Sequence, residues 1–254
     1  MPRLLAVALA AIIAVLPAAA SAQSFDLPAP QPTREARRVI LWATQYFVHS
    51  ADEDRSPEAV PLADRNGRSL GVALSVADWC DAALEGTVAV RLQNGALRTF
   101  NYGRSGQRTF VDCSFRFRRL EKAVQDRLNR SLFFEVPSDA SFGLGLSDRY
   151  RLVPFRSIAV DPNVIKAETV LHIPVLRGAE ITLPDGTKAA HDGYVMAVDR
   201  GGAIKGNHID LFTGIAKNNP APAVVGSRPD RTFEAFVVNS GAAVSRLREA
   251  HIRR

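Results

Sequence analysis

The second half of this chain of 254 residues consists of short apolar segments that alternate with glycine and proline turns. Turn signals such as Pro184-Asp185-Gly186 and Gly201-Gly202 separate these segments at short intervals. Many short strands with such turns are typical of a small β-barrel. The predicted strands are residues 151–160, 169–174, 180–183, 194–198, 209–212 and 232–238, and residues 242–251 are predicted to form a terminal helix.

The first half mixes helices with strands. Ser75 is predicted to cap a helix that Gly86 ends, and Asn94-Gly95 joins segments 87–92 and 96–102 in a strong hairpin signal. The other predictions are a short helix that Thr33 caps and that includes Arg37, Val39, Ile40 and Trp42, an extended segment at 43–50, a loop at 51–70, a strand at 110–116, a helix at 118–130 and a loop at 137–148.

These patterns predict a mainly β protein with flanking helices, in the α+β class. The expected organisation is a signal peptide at 1–22, a flexible lead-in at 23–33, an N-terminal α+β region at 34–148 that packs on the barrel, the barrel at 149–240 and a C-terminal helix at 241–254.

The N-terminus has the features of a secretory signal peptide. Arg3 precedes an apolar run, and Ala20-Ser21-Ala22 supplies the small residues of a cleavage site after Ala22. A membrane anchor is the alternative, but the apolar run is shorter than the roughly 20 residues that a span needs. We therefore expect an exported protein of the periplasm or outer envelope, either peripherally associated with the envelope or secreted, without a transmembrane segment after cleavage.

The chain carries a formal net charge of +6, and removal of the signal peptide would leave +5. A modest basic excess favours anionic partners, and peptidoglycan carries carboxylates. Nucleic acid is a poor alternative because the sequence has no block of Lys and Arg with interleaved aromatic residues.

Cys80 and Cys113 are the two cysteines of the chain. An even count in an oxidising compartment favours one disulfide. A thiol nucleophile or a metal pair is the alternative, but neither cysteine has a neighbouring His and their spacing is unlike that of metal ligands. We predict the disulfide, with no metal site and no cofactor.

One segment combines the features of a catalytic site. Asp199 and Asp210 bracket a loop whose glycines, Gly201, Gly202 and Gly206, let backbone amides approach a ligand, and Lys205 adds a cation. Two acids at the rim of such a cleft are what glycoside cleavage needs. A tight hairpin with acids at its turn positions is the structural alternative.

Weaker candidates lie around this segment. His208 alternates with Asp210 along a strand and can share its face, although a packing role is favoured. His191 and His172 have strand contexts without a metal-type spacing, and His49 lies beside acids in a predicted loop. Three aromatic side chains could stack on sugar rings or belong to the core: Trp42, Tyr46 and Tyr194.

Two parts of the second half resemble a known domain. Residues 157–165 and 170–174 are similar to the opening of the three-aspartate (3D) domain, and residues 191–199 and 201–212 resemble its signature. The domain is shared by the membrane-bound lytic transglycosylase A family and by secreted cell-wall proteins. The resemblance covers about residues 150–215, and the named aspartates would be Asp161, Asp199 and Asp210.

The resemblance implies a double-psi β-barrel. Related barrels in family-45 endoglucanases and expansins hold their acid in an Asn-His-Phe-Asp segment, which Asn207-His208-Ile209-Asp210 is similar to. It therefore implies that Asp210 is the acid, Asp199 a supporting carboxylate and Asp161 a mainly structural residue. The expected substrate-binding residues are Gly201, Gly202, Lys205, Gly206, Asn207 and His208.

The implied reaction cleaves murein glycan strands, with Asp210 as both acid and base. Such an acid must have a raised pKa, and Asp199 is the expected neighbour. Arg200 departs from the Thr that usually follows the second aspartate, and we expect it to lower the pKa of Asp199. The alternatives are a hydrolase of the same fold that uses water and a non-catalytic, expansin-like protein that binds wall glycan.

Overall fold

The computed structural model describes residues 24–30, 37–215, 217, 219 and 221–253. Its first elements are β1 (Arg38–Tyr46), β2 (His49–Asp52), β3 (Val60–Ala63), β4 (Ser69–Leu74), α1 (Val76–Glu85), β5 (Thr87–Arg91), β6 (Leu97–Ser105), α2 (Lys122–Leu128) and β7 (Ser131–Glu135). The later elements are β8 (Ser157–Ala159), β9 (Val170–His172), β10 (Glu180–Thr182), β11 (Lys188–Ala190), β12 (Tyr194–Asp199), β13 (His208–Phe212), α3 (Pro222–Val225), β14 (Phe233–Val238) and α4 (Ala242–His251).

Six strands form a closed barrel in the order β1, β13, β8, β12, β9 and β14. The β1–β13 and β8–β12 pairs are parallel, whereas the other four are antiparallel. The expected fold class, a mainly β protein with a small barrel and flanking helices, is confirmed.

Alternation along the strands builds the barrel core. In β1, Leu41 and Ala43 are fully buried, whereas Trp42 is only partly buried and Thr44 is exposed. Successive side chains of a strand point to opposite faces, so one face of β1 enters the core and the other faces outward. The core also contains Ile158, Leu171, Val195, Ala197, Ile209, Leu211 and Ala235.

A second unit lies between β1 and the rest of the barrel in the sequence. It contains a sheet in the order β2, β5, β6, β7 and the hairpin of β3 and β4. Its core surrounds the fully buried Trp79 of α1, and a disulfide joins Cys80 to Cys113 in the same cluster. Within the described residues, no helix has both the length and the apolar character needed to cross a membrane.

The helix predicted at the start of this region is wrong. Residues 38–46 form β1, which the barrel holds through hydrogen-bonded neighbours on both sides. Pairing with strands more than 150 residues away decides this segment, and local propensity cannot show it. The predicted capping residue Thr33 lies outside the described residues.

Other boundaries also differ from the prediction. The loop predicted at 51–70 contains β3 and the start of β4, the strand predicted at 110–116 is irregular, and β7, β11 and α3 were not predicted. The strand predicted at 151–160 shortens to β8, and the helix predicted at 118–130 shortens to α2. The hairpin of β5 and β6 and the terminal helix α4 are confirmed.

Residues 24–30 of the predicted flexible lead-in lie against the barrel in irregular conformation. The Leu27 side chain is 3% exposed, and its backbone N–H donates to Oδ2 of Asp192 at 3.2 Å. Arg156 forms a buried ion pair with the same carboxylate and donates to the Ser24 carbonyl. This part of the lead-in is therefore packed, contrary to the expectation.

We predict that the disulfide stabilises the N-terminal unit. It closes a loop with a sequence separation of 33 residues, for which chain entropy implies about 3–4 kcal/mol. A Cys80→Ala/Cys113→Ala double variant should lose that amount in urea unfolding followed by tryptophan fluorescence, since Trp79 lies beside the bond. An unchanged unfolding midpoint would contradict the prediction.

Candidate active site

The outer face of the β1–β13 pair carries a ladder of polar and aromatic side chains. The parallel register places Trp42 opposite His208, Thr44 opposite Asp210 and Tyr46 opposite Phe212. The intervening Ala43 and Leu211 belong to the core. Because side chains alternate, the ladder stands together on the opposite face of the pair.

Asp210 lies in the middle of this ladder and is partly buried. The Thr44 hydroxyl donates to its Oδ1 at 2.9 Å. The pKa of Asp210 is raised to about 7, mainly by burial and also by the charge of Asp199, whereas the hydrogen bond from Thr44 acts in the opposite direction. The carboxyl can therefore hold a proton near neutral pH, as a general acid must.

Asp199 ends β12 and lies in the same row as Asp210. Both residues are registered against Ala159 of β8, which separates their strands. The Tyr46 hydroxyl donates to Oδ2 of Asp199 at 2.9 Å, and the Arg200 backbone N–H donates to Oδ1 at 2.8 Å.

The pKa of Asp199 is raised to about 6, mainly by burial. The charge of Arg200 lowers this pKa, as expected, but burial outweighs it. The net shift is therefore upward, although Arg200 acts in the predicted direction. Arg200 itself is exposed, and its hydrogen bond to Asp199 comes from the backbone.

Glu85 is a third acid that the sequence analysis missed. It is the last residue of α1, and its Oε2 accepts a hydrogen bond from the Phe47 backbone N–H at 3.1 Å. The pKa of Glu85 is raised to about 7, mainly by burial and also by the charge of Asp210, although the hydrogen bond from Phe47 lowers it. An acid in the last turn of a helix opposes the helix dipole, which was the available signal in the sequence.

Asp161 holds the glycine loop. Its Oδ2 accepts from the Gly206 backbone N–H at 2.9 Å, and its Oδ1 accepts from the Asn163 N–H at 3.0 Å. These bonds lower the pKa of Asp161. The geometry is that of a structural residue, and Gly206 adopts a φ of +61° that favours glycine.

The rest of the loop is mostly open to solvent. Gly202, Lys205 and Asn207 are exposed, and Gly201 is partly exposed. A Cβ on Gly201 would lie 2.4 Å from Cγ1 of the buried Ile204, so a side chain there would displace the loop. The loop thus presents exposed backbone and Lys205 beside the ladder.

His208 is part of the site. Its ring stacks on Trp42 with centroids 3.6 Å apart and an interplanar angle of 6°, and its Nε2 is 2.8 Å from Oγ1 of Thr44. His208 was predicted to share a face with Asp210, with packing as its favoured role. Thr44 was not predicted as a site residue.

The other candidates lie in structural contacts. His49 is buried in β2, not in a loop, with Nε2 2.8 Å from Oδ1 of Asp78. His191 contacts the Phe155 carbonyl, and His172 packs against Tyr194, whose hydroxyl donates to the Pro28 carbonyl. In the part of the chain that the structure describes, no three His, Cys, Asp or Glu residues are grouped to hold a metal ion.

Comparison with known proteins identifies part of this architecture. Residues 156–226 match the family model described as the 3D domain, which confirms the resemblance for this segment. The segment contains β8 to β13 and all three named aspartates, but not β1 with Thr44 and Tyr46. No curated protein sequence matches the chain.

Solved structures of similar fold cover most of the chain. E. coli MltA with bound chitohexaose has a TM-score of 0.52 and 18% identity, over 82% of this chain and 76% of that chain. A membrane-bound lytic murein transglycosylase from Agrobacterium tumefaciens has a TM-score of 0.45 and 18% identity, over 77% and 73%. MltA from Neisseria gonorrhoeae has a TM-score of 0.47 and 14% identity, over 81% and 74%. At these identities the likeness to E. coli MltA shows the fold.

We predict that Asp210 makes the fold less stable as the pH rises. Its folded pKa of about 7 lies above the unfolded value of about 3.9, so its favourable contribution is complete below pH 4 and is lost as the pH rises through 7. Asp210→Asn should therefore gain stability over the wild type between pH 5 and pH 8, by roughly 2 kcal/mol after allowance for partial exposure.

Urea unfolding at the two pH values measures this difference. Replacement of an exposed acid, Asp148→Asn, is the matched control and should follow the wild type. A wild type and an Asp210→Asn variant whose free energies of unfolding change in parallel with pH would contradict the raised pKa.

Proposed function

We propose that this protein cleaves glycosidic bonds of peptidoglycan as a lytic transglycosylase, with Asp210 as general acid and base. The observation that carries the proposal is a partly buried carboxyl whose pKa is raised to about 7 on the open face of the barrel. None of the ion pairs within the described residues involves Asp210. A buried acid without a cation is costly to the fold and suited to proton transfer.

Asp210 would act first as an acid. Its protonated carboxyl donates a proton to the glycosidic oxygen between muramic acid and glucosamine, and the bond from that oxygen to the muramic anomeric carbon breaks. The C6 hydroxyl of the same muramic residue then attacks the anomeric carbon and closes a 1,6-anhydro ring. The Asp210 carboxylate accepts the hydroxyl proton, which restores the acid for the next cycle.

Asp199 would keep Asp210 protonated. The pKa of Asp199 is about 6 and that of Asp210 about 7, so Asp199 ionises first as the pH rises. A charged Asp199 then disfavours a second negative charge on Asp210. The hydrogen bonds from Tyr46 and from the Arg200 backbone stabilise the charged form of Asp199 in this role.

The surroundings of Asp210 fit a glycan strand. Trp42, which stacks on the buried His208 and is itself only partly buried, offers an aromatic surface near the acid. The exposed loop with Lys205 and Asn207 offers a cation and polar groups for the hydroxyls and carboxylates of peptidoglycan. E. coli MltA, whose fold is similar, has been solved with bound chitohexaose, which supports a glycan ligand here.

A peptidoglycan substrate requires that the protein is exported. The sequence predicts a signal peptide at residues 1–22, which lies outside the described residues. The Cys80–Cys113 disulfide agrees with an oxidising compartment such as the periplasm. We therefore place the mature protein at the cell envelope, in contact with peptidoglycan.

A hydrolase that uses water is the second candidate. The specific observation in its favour is the pair of acids, Asp199 and Asp210, in one row across β12, β8 and β13. Two carboxyl groups permit one to protonate the leaving oxygen while the other activates water. The products distinguish the two reactions.

Digestion of purified sacculi tests the proposal. The mature protein should release fragments with 1,6-anhydromuramic ends, identified by mass spectrometry, and Asp210→Asn should reduce the rate at least about 100-fold, because general acid catalysis is lost. Asp148→Asn serves as the folded control with an exposed acid removed.

Each other outcome has a definite meaning. Reducing muramic ends would replace the lytic reaction by hydrolysis. Binding to sacculi without any product would overturn the enzyme and leave a non-catalytic binder of wall glycan. Equal rates for the wild type and Asp210→Asn would overturn the assignment of the acid.

A further inference from the structure

Three side chains on the outer face of β1 and β13 form a hydrogen-bonded chain that ends on the acid. Oγ1 of Thr44 lies 2.8 Å from Nε2 of His208 and 2.9 Å from Oδ1 of Asp210. The strand register fixes this arrangement, because Thr44 is paired with Asp210 and its neighbour Trp42 is paired with His208. The hydroxyl therefore connects the imidazole ring to the carboxyl.

The chain has a direction that follows from counting hydrogens. The Thr44 hydroxyl has one hydrogen atom and donates it to Asp210. It can therefore only accept from His208, so Nε2 of the ring must carry a hydrogen. Burial lowers the pKa of His208, so the ring is neutral near neutral pH and has a single N–H. The chain thus requires the Nε2–H tautomer.

We propose, resting on the function proposed above, that His208 and Thr44 are positioning residues that reserve Oδ2 of Asp210 for proton exchange with the glycan. Nε2–H of His208 donates to Thr44, and Thr44 donates to Oδ1 of Asp210. Because Oδ1 accepts a hydrogen, the proton of the neutral carboxyl resides on Oδ2. Cleavage transfers that proton to the glycosidic oxygen, and the C6 hydroxyl returns one to Oδ2, so the chain keeps its direction throughout.

The environment of the ring supports this role. His208 is only 8% exposed and stacks on Trp42, so the ring cannot turn freely away from Thr44. A backbone hydrogen bond at Ala203 raises the pKa of His208, but the lowering by burial is larger. A ring that gave its single N–H to the Ala203 backbone would instead leave Nε2 to accept from Thr44, so the tautomer of His208 decides between the two arrangements.

Other titratable groups also face Asp210. The charge of Asp199, on β12, raises the pKa of Asp210. The Tyr46 hydroxyl, on β1, donates a hydrogen bond to Asp199. Glu85 approaches from α1, with Lys217 acting on Glu85 from the segment after β13. All of these groups remain in place when Thr44 alone is changed, so a change in that variant reports on the chain.

The ring tautomer tests the chain without any substrate. The sequence has five histidines, and the ¹⁵N ring signals of His208 can be assigned by comparison with His208→Gln. The wild type should show the Nε2–H tautomer near pH 7.5. Thr44→Val, which removes the hydroxyl and keeps the shape, should lose that preference, and Thr44→Ser should keep it. An Nδ1–H tautomer in the wild type, or an unchanged tautomer in Thr44→Val, would overturn the proposal.

Kinetics on sacculi test its consequence. Thr44→Val should lower kcat by about 10- to 100-fold with little change in KM, because the acid is misplaced while the glycan still binds. The alkaline limb of its pH profile, where Asp210 loses its proton, should move to higher pH, since the Thr44 hydrogen bond lowers the pKa of Asp210. Thr44→Ser should recover most of the loss.

The control is Thr182→Val, at an exposed strand position in the separate sheet of β10 and β11. A Thr44→Val enzyme with the kcat and pH profile of this control would overturn the positioning role. If the wild type leaves sacculi intact, the proposed function fails by itself, and the tautomer of His208 still decides whether the chain exists.

Discussion

The parallel pairing of β1 with β13 is the interaction on which the site depends. It closes the barrel between two segments more than 160 residues apart, since Thr44 pairs with Asp210. The same register places a hydroxyl on Asp210, a tyrosine within reach of Asp199 and a tryptophan on His208. Without β1, β13 would be an open edge, where water would reach Asp210 and burial would raise its pKa less.

The buried carboxyl groups of the protein lie in two different kinds of environment. Asp192 is buried beside Arg156, with N–O distances of 2.5 and 2.8 Å, and this partner lowers its pKa despite burial. Within the described residues, no ion pair involves Asp199, Asp210 or Glu85. Burial raises all three pKa values, although the charges of Arg200 and Lys217 lower those of Asp199 and Glu85. The first arrangement supports the fold and holds the segment at residues 24–28 against the barrel, whereas the second opposes folding as the pH rises and is the arrangement that the proposed proton transfer requires. Glu85 also gives the N-terminal unit a place in the site, because α1 delivers this acid to the end of β1.

The sequence was informative where local chemistry determines structure. The glycine loop and its two flanking acids could be predicted because they lie in one continuous motif, and the resemblance implied the structural role of Asp161. Thr44, Tyr46 and Glu85 could not, because strand pairing and helix docking bring them to the motif from distant parts of the chain. The helix predicted over β1 was wrong for the same reason. The apolar residues of this segment fit a helical pattern, and only its pairing with distant strands makes it a strand. The lowering of the Asp199 pKa by Arg200 could be predicted because a neighbouring charge is visible in the sequence, whereas the larger effect of burial could not.

The central claim is that the barrel holds Asp210 as a proton-carrying acid near neutral pH. The most direct test is a ¹³C NMR titration of the Asp210 carboxyl carbon in the intact protein, assigned with Asp210→Asn. The account predicts a pKa of about 7 for this carboxyl. An Asp210 carboxyl that titrates near the ordinary value of about 4 would be ionised at neutral pH. That result would contradict the role of Asp210 as a proton-carrying acid, whatever activity the protein shows.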